Sequence, residues 1–142
     1  MSKSDLVGTW QLLSYFDVDE AGNTGSAPLG LAPKGLLIYG DNDYVSVSMM
    51  RTDQDILTRS HSGEDVSSDL TSPPEIVFMG YTGKWRLDGQ RVIHEVKVSS
   101  DPSMVDEELI REWSIDGDRL TIYGTIPIGD RIQRRALNWQ RV

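Results

Sequence analysis

The chain has 142 residues, with 22 Asp and Glu against 14 Lys and Arg, and no cysteine. This length suits a single domain, residues 1–142, that buries a core without staples. The acidic balance argues against a nucleic-acid partner, since phosphate binding needs a basic footprint, and the lack of thiols excludes disulfides and thiolate metal sites. The start, Met1-Ser2-Lys3-Ser4-Asp5, has no apolar signal-peptide core, and no run approaches a membrane-spanning length. A soluble protein is expected, cytoplasmic or encoded without its export signal, with no membrane contact.

Taken in order, Gly8 to Phe16 reads as a first strand in which a glycine leads into Trp10. Asp17 to Asn23 supplies turn residues. Residues 24–34, with Pro28, Gly30 and Pro33, read as a long irregular loop. Gly35 to Tyr39 and Tyr44 to Met50 form a hairpin around Gly40-Asp41-Asn42-Asp43. Its second strand alternates, with Val45, Val47 and Met49 on one face. Residues 51–69 turn polar and read as an exposed excursion. Ser72 as N-cap, Pro73 at the first helical position and Glu75 three residues after the cap predict a short helix over 73–79. The apolar run Ile76 to Met79 is equally compatible with a strand.

From Tyr81 the chain is all strand: Tyr81 to Leu87, Arg91 to Ser99, Leu109 to Ile115, Arg119 to Ile126 and Arg131 to Val142. Asp88-Gly89 and Asp116-Gly117-Asp118 are strong hairpin signals between alternating runs. Eight or more antiparallel strands joined mostly by short turns avoid open edges most simply by closing. The expectation is therefore an all-β, up-and-down antiparallel barrel with one short helix near 73–79. Loop 24–34 crosses one mouth. Trp10 and Arg141 meet at the closed end, the guanidinium stacked on the indole, in a structural role.

The ordered series Gly8-x-Trp10, Gly35-x-Leu37-Ile38-Tyr39 with Tyr44, Gly80-Tyr81-Thr82-Gly83-Lys84-Trp85, His94-x-Val96-x-Val98-Ser99, Pro102, Arg111, Asp116 to Leu120 and Trp139-x-Arg141 resembles the lipocalin-like (calycin) proteins. It resembles in particular their small bacterial and fungal lipocalin-like domains. The likeness covers nearly the whole chain and departs from the pattern at residues 53–69, which are acidic and serine-rich here. It implies the barrel. It fixes no activity, because a fold hosts many functions.

Strand parity selects the residues that face the lumen. On the strand from Arg91, the even positions Val92, His94, Val96 and Val98 form the apolar face, with Ile93 a mismatch. On the next strand Leu109, Arg111, Trp113 and Ile115 share a face. His94 and Arg111 thus point inward from consecutive strands, and each needs a partner there. They suit the carboxylate or enolate end of an apolar ligand. His94 can also serve as an acid–base group, with Arg111 or Tyr81 steadying an oxyanion. A hydrogen-bonded core histidine, and an arginine paired with a buried carboxylate or capping a ring, fit the same pattern. The expected ligand lining is Tyr39, Val47, Met49, Trp85, Val96 and Trp113, although tyrosines at strand ends are commonly packing with a wet tip. Met50 and Met79 are further candidates for an adaptable pocket. The basic cluster Arg131, Arg134 and Arg135 reads as a solvated strand face.

No metal site is expected: there are two histidines, and His61 falls in the polar excursion. No phosphate-cradling loop or nucleophile elbow is present, and no cofactor is expected. Two functions remain. One is a barrel that binds a small, mostly apolar molecule with a polar or anionic end. The other, implied by the resemblance, is a cofactor-free tailoring enzyme of natural-product biosynthesis, a cyclase, isomerase or dehydratase on a polyketide-like substrate, with His94, Arg111 and Tyr81 catalytic. In both the partner is a small molecule, and a homodimer stays open.

Overall fold

In the computed structural model, Gly89 and Gly117 take the left-handed backbone that tight hairpins require, at φ 63° and 60°. The structure describes residues 2–52, 78–128 and 130–142. A short helix α1 (Lys3–Leu6) leads into eight strands: β1 (Gly8–Val18), β2 (Lys34–Tyr39), β3 (Tyr44–Met50), β4 (Phe78–Asp88), β5 (Arg91–Ser99), β6 (Glu108–Asp116), β7 (Arg119–Ile128) and β8 (Arg131–Arg141). They form a closed barrel in sequence order, each strand antiparallel to its neighbours, with β8 returning to β1.

The helix predicted near 73–79 lies outside the described residues as far as residue 77. Its last two positions, Phe78 and Met79, open β4. Among the described residues the short helical pieces are α1, where the Asp5 carboxylate accepts the Ser2 backbone N–H at 2.8 Å, and a single 3-10 turn at Pro102–Met104. The polar excursion, His61 included, also lies outside the described residues beyond Thr52.

The alternating strands turn their apolar faces inward. Trp10, Leu37, Val45, Val92, Val96 and Leu120 are all essentially inaccessible to water. Two β-bulges break the alternation. On β1, Leu12 pairs with Trp139 and Ser14 with Asn138, so Leu13 is squeezed out of register. Beyond it the inward parity changes from even to odd, and Tyr15 is buried. On β5, Val96 pairs with Gly83 and Val98 with Thr82, leaving Lys97 between them. Val98 was expected inside; the bulge turns it out, and it is 66% exposed. Gly83 makes the bulge feasible. A Cβ there would lie 1.9 Å from the Glu95 carbonyl oxygen, so no other residue fits.

One end of the barrel is sealed by the two ends of the chain. The Arg141 guanidinium lies 4.1 Å from the centre of the Trp10 ring. It also donates to the carbonyls of Val7 and Asp5 at 3.1 and 2.6 Å. The Trp10 indole donates to the Leu6 carbonyl at 3.0 Å. Gly8 serves both needs of this corner: its φ is 137°, and a Cβ would sit 2.8 Å from the Arg141 guanidinium.

The other end receives the β1–β2 loop. Leu29 inserts from it into the apolar core and is fully buried. The start of the β3–β4 connection holds the loop in place. Arg51 donates to the Pro28 carbonyl at 3.4 Å, and the Thr52 hydroxyl to the Ala32 carbonyl at 2.6 Å. Among the described residues, no helix is long and apolar enough to cross a membrane.

Candidate functional site

Alternation before the bulge places His94 among Val92 and Val96 on the inner face of β5, where it is the one buried polar or charged residue among those described. Such a group must find hydrogen bonds or raise the energy of the fold. It finds two. The Tyr39 hydroxyl from β2 lies 2.7 Å from His94 Nε2, and the Tyr81 hydroxyl from β4 lies 2.6 Å from Nδ1. An imidazole on β5 is thereby held between two phenols, one from the neighbouring strand β4 and one from β2, three strands away. Tyr39 is buried and Tyr81 is partly buried.

Arg111 enters from β6. It shares its face with buried Trp113, and its guanidinium lies over Gly124 of β7. A Cβ on Gly124 would stand 3.2 Å from the guanidinium carbon, so that glycine makes the space. Among the described residues Arg111 has neither a carboxylate partner nor a hydrogen bond, and its side chain is half-buried. Its positive charge acts on Tyr39, Tyr81 and His94 together.

Burial and that charge set the protonation states. Burial, then the charge of Arg111, push the His94 pKa from 6.5 down to about 3, so the ring is neutral across the physiological range. Burial raises Tyr81 to about 12, and Arg111 opposes that shift. Tyr39 is held well above its ordinary value, first by burial and then by Tyr81. The site is therefore a neutral Tyr–His–Tyr chain beside Arg111, a cation with no carboxylate partner among the described residues.

A second polar group lines the same interior. Arg135 of β8 donates to Asp17 of β1 at 2.8 Å and to the Tyr15 hydroxyl at 3.1 Å, with Asp17 and Arg135 directly paired across the strands. Their side chains are 18% and 17% exposed. The expectation of a solvated basic face therefore fails for Arg135, which is tied inward, and holds for Arg134, which lies over the Tyr123 ring. Counting back by twos from Trp139 reaches Leu137 and Arg135, so β8 carried that signal. Asp17 and Tyr15 gave none, because the Leu13 bulge reverses parity just before them.

The other singled-out residues are placed as follows. Val47, Met49, Val96 and Trp113 are buried on the inner face. Trp85 is also buried, with its ring centre 4.5 Å from that of Tyr39, and its indole donates to the Gly40 carbonyl at 3.0 Å. It forms the floor beneath the His94 group. Met50 is turned to the outside, and Met79 packs half-buried against the core. Trp113, two positions from Arg111 on the same face, buries an indole N–H without an acceptor.

Two cavities flank the barrel wall. One, of about 360 Å³, lies where β1 and β2 part beyond the pair Gln11–Leu36. Buried Leu12 and Met49 line it together with exposed Leu36, Met50 and Phe78. The other, of about 590 Å³, lies between the start of the β1–β2 loop and the face of β6 to β8 that carries Glu112, Tyr123 and Arg134. Neither is lined by His94, Tyr81 or Arg111. Among the described residues no three His, Asp or Glu side chains converge as metal ligands would.

A comparison with curated proteins gave no match. The family model described as a lipocalin-like domain matches residues 7–142, from the residue before Gly8 to the end of β8 and beyond. The closed eight-stranded barrel, sealed by Trp10 and Arg141, and this match over nearly all of its length place the chain in the lipocalin-like domain family.

Proposed function

We propose that the barrel binds a small, mostly apolar molecule whose polar or anionic end is held by Arg111 and Tyr81. The observation that carries this reading is Arg111, a guanidinium turned into an apolar interior with no carboxylate partner among the described residues. A half-buried cation of this kind is costly unless an anion or a strong acceptor meets it. Tyr81, partly buried and hydrogen-bonded to His94, feels the same charge. Met49, Val47 and Trp113 supply apolar surface for the rest of the ligand, and a polyketide-like chain with an acidic end fits that division. The cysteine-free composition suits action in a reducing compartment such as the cytoplasm.

The enzyme reading receives less support. It needs His94 to move a proton, yet both ring nitrogens already face phenols, and a pKa near 3 makes the ring a poor base at neutral pH. A titration with decanoate, followed through the tryptophan fluorescence of the interior, tests the binding reading. Saturable binding that Arg111→Gln weakens by about tenfold or more is the expected result, the scale of one hydrogen-bonded charge. Equal affinity in the folded variant would remove Arg111 from the site.

A further inference from the structure

The hydrogen bonds around His94 carry a direction as well as a position. A neutral imidazole has one N–H donor and one bare acceptor nitrogen. Of its two phenol partners, one must therefore donate to the ring and the other must accept from it. Tyr39 decides which. It is 1% exposed, and His94 Nε2 is the one partner of its hydroxyl among the described residues. Were Nε2 protonated, the Tyr39 O–H would be a buried donor with no acceptor, a costly arrangement. The Tyr39 O–H thus donates to Nε2, the proton of His94 resides on Nδ1, and Nδ1–H donates to the Tyr81 oxygen. That leaves the O–H of Tyr81, the partly buried member of the chain, without an acceptor among the described residues.

We propose that Tyr39 locks His94 in the Nδ1–H form, so that Tyr81 is a fixed hydrogen-bond donor beside Arg111 and the site selects an acceptor-only oxygen head, a carboxylate or an enolate, over a hydroxyl. Every uncommitted polar group here donates: the Arg111 guanidinium, the Tyr81 O–H and the nearby Trp113 indole N–H. A ligand hydroxyl would bring a proton that none of the three can accept, whereas a carboxylate brings none. Tyr39 and His94 are positioning residues in this scheme and touch no ligand. The ligand class rests on the binding reading above; the tautomer rests on the geometry of the protein alone.

Two measurements keep these apart. Proton–nitrogen correlation spectra of the ligand-free, nitrogen-labelled protein should show His94 protonated at Nδ1 and bare at Nε2. Tyr39→Phe should mix the two tautomers, and Tyr81→Phe should leave the wild-type tautomer in place. A wild-type Nε2–H form, or an unchanged tautomer in Tyr39→Phe, overturns the lock. Decanoate and decanol then serve as paired probes with the same chain and different heads. The wild type should prefer decanoate by about tenfold or more, and both variants should lose much of that preference. A merely structural role for Tyr39 would weaken both probes alike. Equal binding of the two probes by the wild type overturns the selectivity and leaves the binding reading intact. Binding of neither overturns the binding reading and the ligand class with it, while the spectra still judge the tautomer.

Discussion

In an unfolded chain His94 takes up its proton near pH 6.5, and in the barrel burial and Arg111 hold that proton off until about pH 3. The unfolded state therefore binds more protons between these limits. The contribution of the neutral ring is complete above 6.5 and is lost as the pH falls toward 3. The slope approaches about 1.4 kcal/mol per pH unit for one proton. The lowered carboxylates Asp19, Glu95 and Asp101 also lose stabilisation in acid, but only below the ordinary carboxylate values of 3.8 and 4.5. The window above these belongs to His94. Denaturant titrations between pH 7 and 5 should show stability falling with pH in the wild type and a flatter profile in His94→Gln. The inward direction of His94 and of Arg111 was legible from the two-residue period of β5 and β6. Tyr81 stood in the same group in that reading, but the bond from Tyr39 was not legible, since Tyr39 lies 55 positions away and meets His94 only across the closed lumen.

At the scale of elements, the bulges and the β1–β2 loop do the most to shape the interior. The bulge on β1 adds a residue without a compositional mark, and the one on β5 is marked only by Gly83 on the facing strand, so parity was readable up to Leu12 and Val96 and misleading after them. On β1 the consequence is polar: the reversal delivers Tyr15 and Asp17 to the inside, where Arg135 meets them. The loop was recognisable from its Pro and Gly content as irregular. Its anchor was not, because a single leucine in such a stretch carries no periodicity. Leu29 nonetheless belongs to the core as fully as any strand residue. Leu29→Ala should lower the unfolding free energy by about 3 kcal/mol, the usual cost of a buried leucine truncation. Urea unfolding measures it. A loss comparable to that for exposed Leu31→Ala would show that the loop does not depend on this anchor.

For the whole molecule, closure depends on one strand pair, β1 with β8. Strand order, hairpin turns and sealing aromatics were all readable, because each rests on local pattern or on a short motif with a mechanical role. What the barrel holds was not readable, since the lumen combines side chains from strands far apart in sequence. The closure itself is open to test. Arg141→Ala removes the stacking on Trp10 and two hydrogen bonds to carbonyls, and should cost about 3 kcal/mol. Arg141→Lys should recover only part of this, because an ammonium cannot combine planar stacking with a forked donor set. Thermal denaturation of the three proteins should rank them wild type, Lys, Ala; equal midpoints would mean that the corner is held by other contacts.

The same seam also orders events in time. Strands β2 to β7 each pair with the next in sequence, with the long connection from Met50 to Phe78 the one wide gap, and each pair can zip as soon as its second strand exists. One edge of β1 must wait, because its partners there along Trp10 to Val18 are residues 134–141, while its other edge meets β2 over Gly8 to Gln11. Until that stretch leaves the ribosome, β1 and β7 each present an unpaired edge, the form of nascent chain most prone to sticking to its neighbours. Synthesis rate and chaperone supply should therefore govern the soluble yield of this barrel more than its final stability does.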